Sequence, residues 1–244
     1  MGHTAIVTGA AGGIGLGVVR RLARDGMRVI ATDVKAVDRT DLPVGVEYVA
    51  IDLADPTRFD TLFDRLDGGP LDHLVNAAGI ALFDEDGSSF DIDESVWERV
   101  LAVNLHAVRR LTVAALPHLR RGTGRSIVHV ASVAGLRGMD SPLDAYQVSK
   151  AAVVSLSRAL AQQLGPDGIR SNTVCPGAIL TPMIDFLYER APERRADMEQ
   201  RTPLRRLGTA DEVADAVAFL LSEQASFITA TDLVVDGGWS SQLK

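Results

Sequence analysis

A tyrosine and a lysine, Tyr146 and Lys150, lie four residues apart at the start of an apolar, helix-like stretch. On a helix this spacing places the phenol and the amine on one face. A free tyrosine has a pKa of about 10 and is a poor base near neutral pH, but a neighbouring ammonium group favours the phenolate. Lowering that pKa by ~3 units requires ~4 kcal/mol, more than we expect from one lysine, so a second positive charge is expected nearby. Taken alone, such a pair is commonly an ordinary helix surface.

The length and composition indicate one domain that spans residues 1–244. The 244 residues are 46% hydrophobic and 23% charged, which allows a large core. The net charge of −7 and the isoelectric point near 5.2 argue against a nucleic-acid surface, since no basic run exceeds pairs such as Arg109-Arg110. No apolar run reaches the ~18 residues of a membrane helix, and the first residues lack a secretory signal. We therefore expect a soluble cytoplasmic protein with neither a membrane nor a nucleic-acid partner.

The cysteine and histidine positions do not predict metal or disulfide chemistry. Cys175 is the single cysteine, which excludes an internal disulfide, and the five histidines lack the spacing of metal ligands. Because Cys175 lies between Val174 and Pro176 at a predicted strand end, we interpret it as a buried small hydrophobe rather than a nucleophile. The sequence predicts no metal site.

A glycine-rich turn, GAAGGIG at residues 9–15, connects a predicted strand, Thr4 to Thr8, with a helical pattern from Leu16 to Arg24. Glycines in such a turn let the backbone approach a pyrophosphate, and the helix N-terminus offers free N–H groups with a partial positive charge. The spacing differs from the usual G-x-G-x-x-G, and glycine turns can be purely structural. The turn alone therefore favours dinucleotide binding without establishing it.

An acidic residue after the second predicted strand strengthens this interpretation. Asp33 follows the run from Met27 to Thr32, about 20 residues past the turn, where a ribose-binding carboxylate is expected. Two charges ~4 Å apart at an effective dielectric of ~20 interact by up to ~4 kcal/mol, so this carboxylate would repel a 2′-phosphate. No Arg or Lys lies in the turn or directly after Asp33. We therefore predict NAD as the cofactor; the alternative for Asp33 is a plain turn residue.

Strands and helices alternate along the rest of the chain. This alternation predicts an α/β fold with a Rossmann-type, doubly wound parallel sheet of about seven strands, helices on both faces and ligands at the carboxyl ends of the strands. Further strands are predicted at residues 46–51, 71–75, 126–130, 169–174 and 233–235, and helices at 56–66, 94–119, about 145–164 and 211–221.

Three connecting segments have more specific interpretations. The acidic loop from Asp84 to Asp93 is interpreted as solvated surface, and the helix from Glu94 to Leu119 as interrupted late by Pro117. The segment 180–206, in which apolar residues precede a charged run, is interpreted as a mobile flap over the cleft. The small residues of 76–79 would let a flat cofactor lie against the backbone.

With these residues in place, the chain resembles the short-chain dehydrogenase/reductase family over essentially its whole length. Each matching motif is weak alone, whereas the whole set in this order is highly specific. The motifs are Thr8-Gly9, Gly13-Ile14-Gly15, Asn76-Ala77-Ala78-Gly79, Asn104, Ser132, Tyr146 with Lys150, Pro176-Gly177, Thr181 and Val235-Asp236-Gly237-Gly238.

The resemblance implies a catalytic set of Asn104, Ser132, Tyr146 and Lys150. Tyr146 is implied to be the acid/base and Ser132 to hold the substrate oxygen, while Lys150 binds the nicotinamide ribose and lowers the pKa of the tyrosine. Asn104 is implied to support a water-linked proton path. The cofactor-binding residues expected from the motifs and strand ends are Gly9, Gly13, Ile14, Gly15, Asp33, Asp52, Leu53, Asn76, Ala77, Gly79, Tyr146, Lys150, Pro176, Gly177 and Thr181.

Two departures limit this transfer of roles. Ser132 and Tyr146 lie 14 positions apart, slightly more than is usual in the family, so the loop from Gly138 to Pro142 is expected to be reshaped. Ala230 stands where relatives often have glycine, which is expected to alter the packing near the C-terminus. Neither departure lies in the catalytic set.

The leading prediction is an NAD-dependent oxidoreductase that interconverts a secondary alcohol and a ketone. Tyr146 would transfer the hydroxyl proton while hydride passes between the carbinol carbon and the nicotinamide. One alternative is an NADPH-dependent 3-oxoacyl reductase, against which Asp33 counts. Another is a cofactor-binding scaffold without turnover, since the fold alone does not establish activity.

The predicted substrate site is apolar. The expected substrate contacts are Ser132, Met139, Tyr146, Met183 and Phe186, with Leu143 and Leu187 completing a wall that favours a neutral alcohol or ketone. Arg137 is expected to be solvated, although an inward orientation would let it pair with an acid. The helix from Tyr146 to Leu164 has small and apolar residues around much of its circumference, which predicts a homo-oligomer, foremost a tetramer.

Overall fold

Strands and helices alternate in the computed structural model, which describes residues 2–38 and 41–241. The strands are β1 Thr4–Thr8, β2 Arg28–Asp33, β3 Glu47–Ala50, β4 His73–Asn76, β5 Ser126–Val130, β6 Arg170–Pro176, β7 Ile179–Leu180, β8 Gly208–Thr209 and β9 Asp232–Val235. The α-helices are α1 Gly13–Arg24, α2 Phe59–Phe63, α3 Glu94–Leu101, α4 Val108–Leu119, α5 Asp144–Leu164, α6 Pro182–Arg190, α7 Pro192–Arg201 and α8 Ala210–Leu221.

A seven-stranded parallel sheet in the order β3-β2-β1-β4-β5-β6-β9 forms the centre of the structure. The strand order reverses between β1 and β4, and an open sheet binds its ligands in the crevice at the carboxyl ends of the strands at such a point. The predicted α/β, Rossmann-type sheet is thus confirmed, and β1 and β5 have the predicted bounds. The short strands β7 and β8 form a separate parallel pair.

The central strands are buried on both faces because helices cover both sides of the sheet. Consecutive residues of a strand point to opposite faces, so Val7 packs into a cluster with Val18 of α1 and Val217 of α8, whereas Ile6 packs with Leu111 of α4. This burial explains why the strands are nearly continuous apolar runs. No helix within the described residues is long and apolar enough to cross a membrane.

The predicted helix at 94–119 differs in the structure. A π-helical segment, Ala102–Ala107, separates α3 from α4, and Asn104 lies within this wider segment. Pro117 lies inside α4 without interrupting it, so that prediction was wrong. Pro117 is exposed in the last turn, and the carbonyl it leaves unbonded, that of half-exposed Val113, can bond to water there. The predicted helix at 56–66 consists of α2 between two 3-10 turns.

Ala230, noted above as an unusual residue, has a φ angle of 60°. This is the left-handed region, which costs a residue with a Cβ roughly 1–2 kcal/mol relative to glycine. The conformation is fixed by a hydrogen bond of 2.8 Å from the Ala230 N–H to the carbonyl of Ser171 on β6. Ala230 therefore adopts a conformation that favours glycine, at a cost in backbone strain.

Candidate active site

Tyr146 and Ser132 meet at the carboxyl end of β5. Ser132 follows this strand, and its Oγ accepts a hydrogen bond of 3.1 Å from the Ala134 N–H, which fixes the start of a 3-10 turn. Tyr146 lies in the first turn of α5, where the Ser132 hydroxyl is close enough to its phenol to oppose the rise of the phenol's pKa. The predicted acid/base and the predicted substrate-binding hydroxyl are therefore neighbours.

Lys150 lies on the same face of α5 as Tyr146, as the spacing predicted. Its Nζ is 5.6 Å from the centre of the Tyr146 ring and donates a hydrogen bond of 3.0 Å to the carbonyl of Val130 on β5. Lys150 is 5% exposed, and this burial lowers the pKa of its ammonium group to about 8. The strand that leads to Ser132 thus also holds the Lys150 amine close to the Tyr146 ring.

Burial raises the pKa of Tyr146, and the hydrogen bond from Ser132 offsets this only in part. The expectation that Lys150 lowers this pKa is therefore not met by the protein chain itself. Desolvation disfavours the charged form of both groups, the phenolate and the ammonium, and here it outweighs their attraction. The protein alone keeps Tyr146 protonated, which makes a second positive charge more important.

Asn104 is buried beside the lysine. Its Oδ1 accepts a hydrogen bond of 2.8 Å from the Ile80 N–H, while its Nδ2 donates to the Ile80 carbonyl and to the Ser149 hydroxyl of α5. A Cβ atom on Gly79 would lie 3.1 Å from Lys150 Nζ and 3.3 Å from Asn104 Oδ1, so a side chain there would crowd both groups. The structure therefore places Lys150 and Asn104 close together, and the absence of a side chain at Gly79 leaves room for both.

Asp86 supports the first turn of α5 and corrects one prediction. Its carboxylate accepts hydrogen bonds of 3.2 Å and 2.9 Å from the N–H groups of Ala145 and Tyr146. The interpretation of the loop from Asp84 to Asp93 as solvated surface is wrong at this residue, which is 7% exposed. The free N–H groups of the helix require an acceptor, and Leu143 at the N-cap cannot supply one. Asp86 thereby fixes the backbone that bears Tyr146.

The glycine turn between β1 and α1 packs against the chain after β4. Thr8 Oγ1 accepts hydrogen bonds of 3.0 Å from the N–H groups of both Ala77 and Ala78. A Cβ atom on Gly15 would overlap the carbonyl oxygen of Gly9, so the turn can close only with glycine. No side chain caps the N-terminus of α1 and its first turn has no acidic residue. Its N–H groups therefore fit the phosphates of a dinucleotide.

Asp33 lies beside this turn at the end of β2. Its two carboxylate oxygens accept hydrogen bonds of 3.1 Å each from the N–H groups of Ala11 and Lys35, and both retain capacity for a further donor. Exposed Asp52 and buried Leu53 follow the next strand, β3, which ends at Ala50. A carboxylate at this position fits the hydroxyls of a ribose. The residues present thus fit NAD(P), with Asp33 at the end of the adenosine ribose and Lys150 at the end of the nicotinamide ribose.

A cavity of about 440 Å³ extends from the glycine turn to the space above Tyr146. The cavity brings together most of the residues predicted from the sequence. Phe186 does not line the cavity, but the centre of its ring lies 6.1 Å from that of Phe83, which is a lining residue. The predicted residues that line the cavity are Ile14, Ala77, Gly79, Ser132, Met139, Leu143, Tyr146, Lys150, Pro176, Gly177, Thr181, Met183 and Leu187. Those that do not are Gly9, Gly13, Gly15, Asp33, Asp52, Leu53, Asn76 and Asn104.

Asn76 has its side chain in the core rather than in the cavity. Its Nδ2 lies 3.2 Å from Thr112 Oγ1 and 3.1 Å from His129 Nδ1, and the other ring nitrogen of His129 is 3.3 Å from Ser171 Oγ. This buried polar chain crosses from β4 to β6 and supports the strand ends from below. Cys175 is fully buried, which raises its pKa to about 11 and confirms its interpretation as a structural residue.

The segment 180–206 forms two helices, α6 and α7, above the cavity. Proline at the first position of each helix, Pro182 and Pro192, is a helix-start signal that sequence reasoning missed. Arg137, by contrast, is exposed and does not line the cavity. Further lining residues absent from the prediction are Phe83, Asp84, Ile184, Tyr188, Arg194, Met198 and Trp239.

Comparison with known proteins agrees with this fold and site. A family model described as Enoyl-(Acyl carrier protein) reductase matches residues 9–240. The chain is 36% identical over 249 residues to Dehydrogenase/reductase SDR family member 4 of Oryctolagus cuniculus, covering 98% of this chain and 94% of that protein. It is also 36% identical over 247 residues to cis-4-hydroxycyclohexanecarboxylate dehydrogenase of Sinomonas cyclohexanicum, covering 98% and 97%.

Among solved structures, ligand-free aldohexose dehydrogenase of Thermoplasma acidophilum superposes with a TM-score of 0.91 at 31% identity, covering 99% of this chain and 95% of that one. The chain therefore belongs to the short-chain dehydrogenase/reductase family. It is an oxidoreductase of the kind that uses NAD(P) and acts on CH–OH groups.

Proposed function

We propose that the protein is an NAD-dependent dehydrogenase that interconverts a secondary alcohol and its ketone. The observation that carries this proposal is the meeting of the Tyr146 phenol with the Ser132 hydroxyl in a cavity that Lys150 also lines. The cavity extends to residues of the glycine turn, so cofactor and substrate would share it. Names of similar proteins, such as cis-4-hydroxycyclohexanecarboxylate dehydrogenase and aldohexose dehydrogenase, support an alcohol substrate.

In the oxidative direction, the Ser132 hydroxyl donates a hydrogen bond to the substrate oxygen and Tyr146 removes its proton. Burial favours the protonated phenol, so the tyrosine must lose its own proton before it can act as a base. When bound in its oxidised form, NAD supplies the hydride acceptor and the additional positive charge near the phenol. From its position against Val130, Lys150 would hold a ribose hydroxyl of the bound cofactor, and Asn104, which binds the backbone of Ile80, would support a water-linked proton path.

Asp33 supports NAD rather than NADP, because its carboxylate beside the turn would repel a 2′-phosphate. The test is a double variant, Asp33→Ser with Val34→Arg. We expect the ratio of kcat/KM for NAD over NADP to fall about 100-fold or more, which corresponds to ~2.7 kcal/mol. A parent enzyme that already prefers NADP would contradict the proposal.

We also propose that residues 1–244 form one domain, that α6 and α7 act as a flap, and that the protein is a homotetramer. Val113 of α4 and Val148 of α5 are 51% and 45% exposed, and Ala151 and Ser155 on α5 are exposed as well. Such surface on the longest helix is suited to symmetric association. Light scattering at micromolar concentration tests this, and a monomer would contradict it.

The direct test of the activity is a panel of secondary alcohols with NAD, followed by the absorbance of NADH. We expect turnover with the parent enzyme and a kcat lower by about 10²-fold or more with Tyr146→Phe. If the parent enzyme turned over only with NADPH and 3-oxoacyl substrates, the result would favour the alternative of an NADPH-dependent 3-oxoacyl reductase. Cofactor binding without any turnover would indicate a scaffold instead.

A further inference from the structure

Arg194 of α7 lines the same cavity as Ser132 and Tyr146. Its backbone is held by a hydrogen bond of 3.0 Å from its N–H to the Ala191 carbonyl, so the residue is fixed in the first turn of the helix. Within residues 2–38 and 41–241, its guanidinium group has no hydrogen bond, ion pair or ring contact. Because Arg194 is exposed, its unpaired positive charge lies where the cavity opens to solvent, on the side opposite the sheet.

This lack of a partner distinguishes Arg194 from its neighbours. Every other arginine in the segment 180–206 is bonded to an acidic side chain or a carbonyl group. The pairs are Arg190 with Asp84, Arg195 with Glu199, Arg201 with Asp140, Arg205 with the Gln200 carbonyl, and Arg206 with Glu212. The structural demands of the two helices are thus met without Arg194, which leaves its five N–H donors for another group.

The residues beside Arg194 suit the carbon frame of an organic anion. Met183, Leu187, Met198 and Trp239 line the cavity between the helices and the catalytic residues and give it apolar walls. The other charged residues that line the cavity are Lys150, on the side of the sheet, and Asp84, whose charge is compensated by Arg190 at 3.8 Å. The prediction of a neutral substrate considered the apolar residues of this wall and Arg137, but not Arg194.

We propose that Arg194 binds a carboxylate of the substrate, at a position remote from the carbinol carbon held by Ser132 and Tyr146. The substrate class is a hydroxy acid, or the corresponding keto acid, whose carbon frame packs against the apolar wall. A planar guanidinium matches a carboxylate with two parallel hydrogen bonds, and one unpaired charge suits a monoanion. This proposal rests on the proposed dehydrogenase activity and specifies its substrate.

The kinetic test uses 3-hydroxybutanoate, 4-hydroxypentanoate and 5-hydroxyhexanoate together with their methyl esters, which differ only in charge at the remote end. With NAD and the parent enzyme, we expect kcat/KM to be at least tenfold higher for one of the acids than for its ester. Arg194→Met should abolish this preference through a higher KM for the acid, with kcat/KM for the ester unchanged within about twofold. Arg194→Lys should restore part of it.

Two control variants separate a specific role from a general charge effect. Arg195→Met removes the adjacent arginine, which pairs with Glu199, and Arg137→Ala removes the exposed loop arginine near the cavity. Both should keep the preference for the acid. The proposal would be overturned by equal rates for acids and esters or by a preference that survives Arg194→Met. A preference for the matching amino alcohols would also overturn it and would indicate that Asp84 binds the remote group instead.

Binding of the same compounds distinguishes this proposal from the proposed function. Titration calorimetry of the NAD-loaded Tyr146→Phe variant measures affinity without turnover, so it gives a result even where no compound is oxidised. An acid that binds at least tenfold more tightly than its ester, with the difference lost in Tyr146→Phe combined with Arg194→Met, supports the role of Arg194. Equal affinity overturns it, even if the parent enzyme oxidises the esters.

Discussion

The two sides of the cavity are constructed differently. The side formed by the sheet, called the floor here, comprises the ends of β1, β4, β5 and β6 with the first two turns of α5. Buried Lys150 donates to a backbone carbonyl of the floor and buried Asp86 accepts from its backbone, whereas Ser132 and Tyr146 are half-buried. The side formed by α6 and α7, called the roof here, has no buried residue and is joined to the rest by exposed ion pairs. Buried hydrogen bonds fix positions closely, whereas exposed ion pairs are weak and screened by salt.

This difference suggests a division of tasks. In the proposed function, the floor has the groups that would transfer the proton, which must be placed to within a fraction of an ångström. The roof has Arg194 and apolar residues of the cavity wall, which are proposed to select the substrate. Changes to the floor should therefore alter kcat, while changes to the roof should mainly alter KM. The following predictions test this comparison.

The largest effect is expected from Tyr146→Phe in the floor. This change removes only the phenolic oxygen, so kcat should fall by about 10²–10⁴-fold, the range of general acid–base catalysis. Stability and NAD affinity should stay close to those of the parent, because the ring remains in place. Steady-state kinetics and cofactor titration measure both. A kcat within tenfold of the parent would exclude Tyr146 as the acid/base.

Acid is expected to destabilise the floor through His129, which lies between Asn76 and Ser171. Burial lowers its pKa to about 4, whereas an unfolded histidine titrates near 6.5. The unfolded chain therefore binds the proton first as the pH falls. The contribution of His129 to the free energy of unfolding is therefore complete above about pH 6.5. It is lost as the pH falls toward 4, at up to ~1.4 kcal/mol per pH unit.

Urea unfolding at pH 7, 6 and 5 measures this slope, and His129→Gln should make it shallower. The slope should not vanish, because His73, also lowered to a pKa of about 4 by burial, contributes in the same direction. An unchanged slope in His129→Gln would contradict the role of His129.

Asp86→Asn tests a contact of the floor that the sequence did not predict. The amide retains one acceptor oxygen for the N–H groups of Ala145 and Tyr146 but loses the charge that favours a helix N-terminus, so we expect a loss of ~1 kcal/mol in the free energy of unfolding. We also expect kcat to fall several-fold with little change in the KM for NAD, because the effect is on the position of Tyr146. Asp91→Asn, an exposed acid of the same loop, is the matched control and should change neither. Equal loss of stability with an unchanged kcat would show that Asp86 is only structural.

The sequence predicted the floor well because its features depend on neighbours in the chain. Local backbone geometry determines the glycine turn, the position of Asp33 at the end of β2 and the Tyr146–Lys150 spacing. The order of the motifs fixes their place in the sheet. Asp86 was missed because its partners lie 59 and 60 residues away. The raised pKa of Tyr146 was missed because burial is a property of the folded chain.

The roof was predicted less well for a related reason. Its sequence was interpreted from hydropathy as a mobile flap without assigned helices, whereas Pro182 and Pro192 begin two helices. Which of its arginines faces the cavity depends on which of the others find acidic partners, and those partners include Asp84 and Asp140 on distant loops. No local pattern distinguishes Arg194 from Arg195.

The smallest effect is expected from Asp140→Asn, which removes an ion pair of 2.7 Å between Asp140 and Arg201 at the edge of the roof. Both side chains are partly exposed, so the loss of stability should not exceed ~1 kcal/mol. Because Arg201 also lies over the ring of Trp239, a residue of the cavity wall, we expect the KM for substrate to rise about twofold while kcat and the KM for NAD stay unchanged. Raising the salt concentration from 0.05 to about 0.5 M should reproduce this change in the parent and have a smaller effect in the variant, since screening weakens the same ion pair. A fall in kcat in place of the rise in KM would mean that the roof also positions the reacting groups, and the division between the two sides of the cavity would then be wrong.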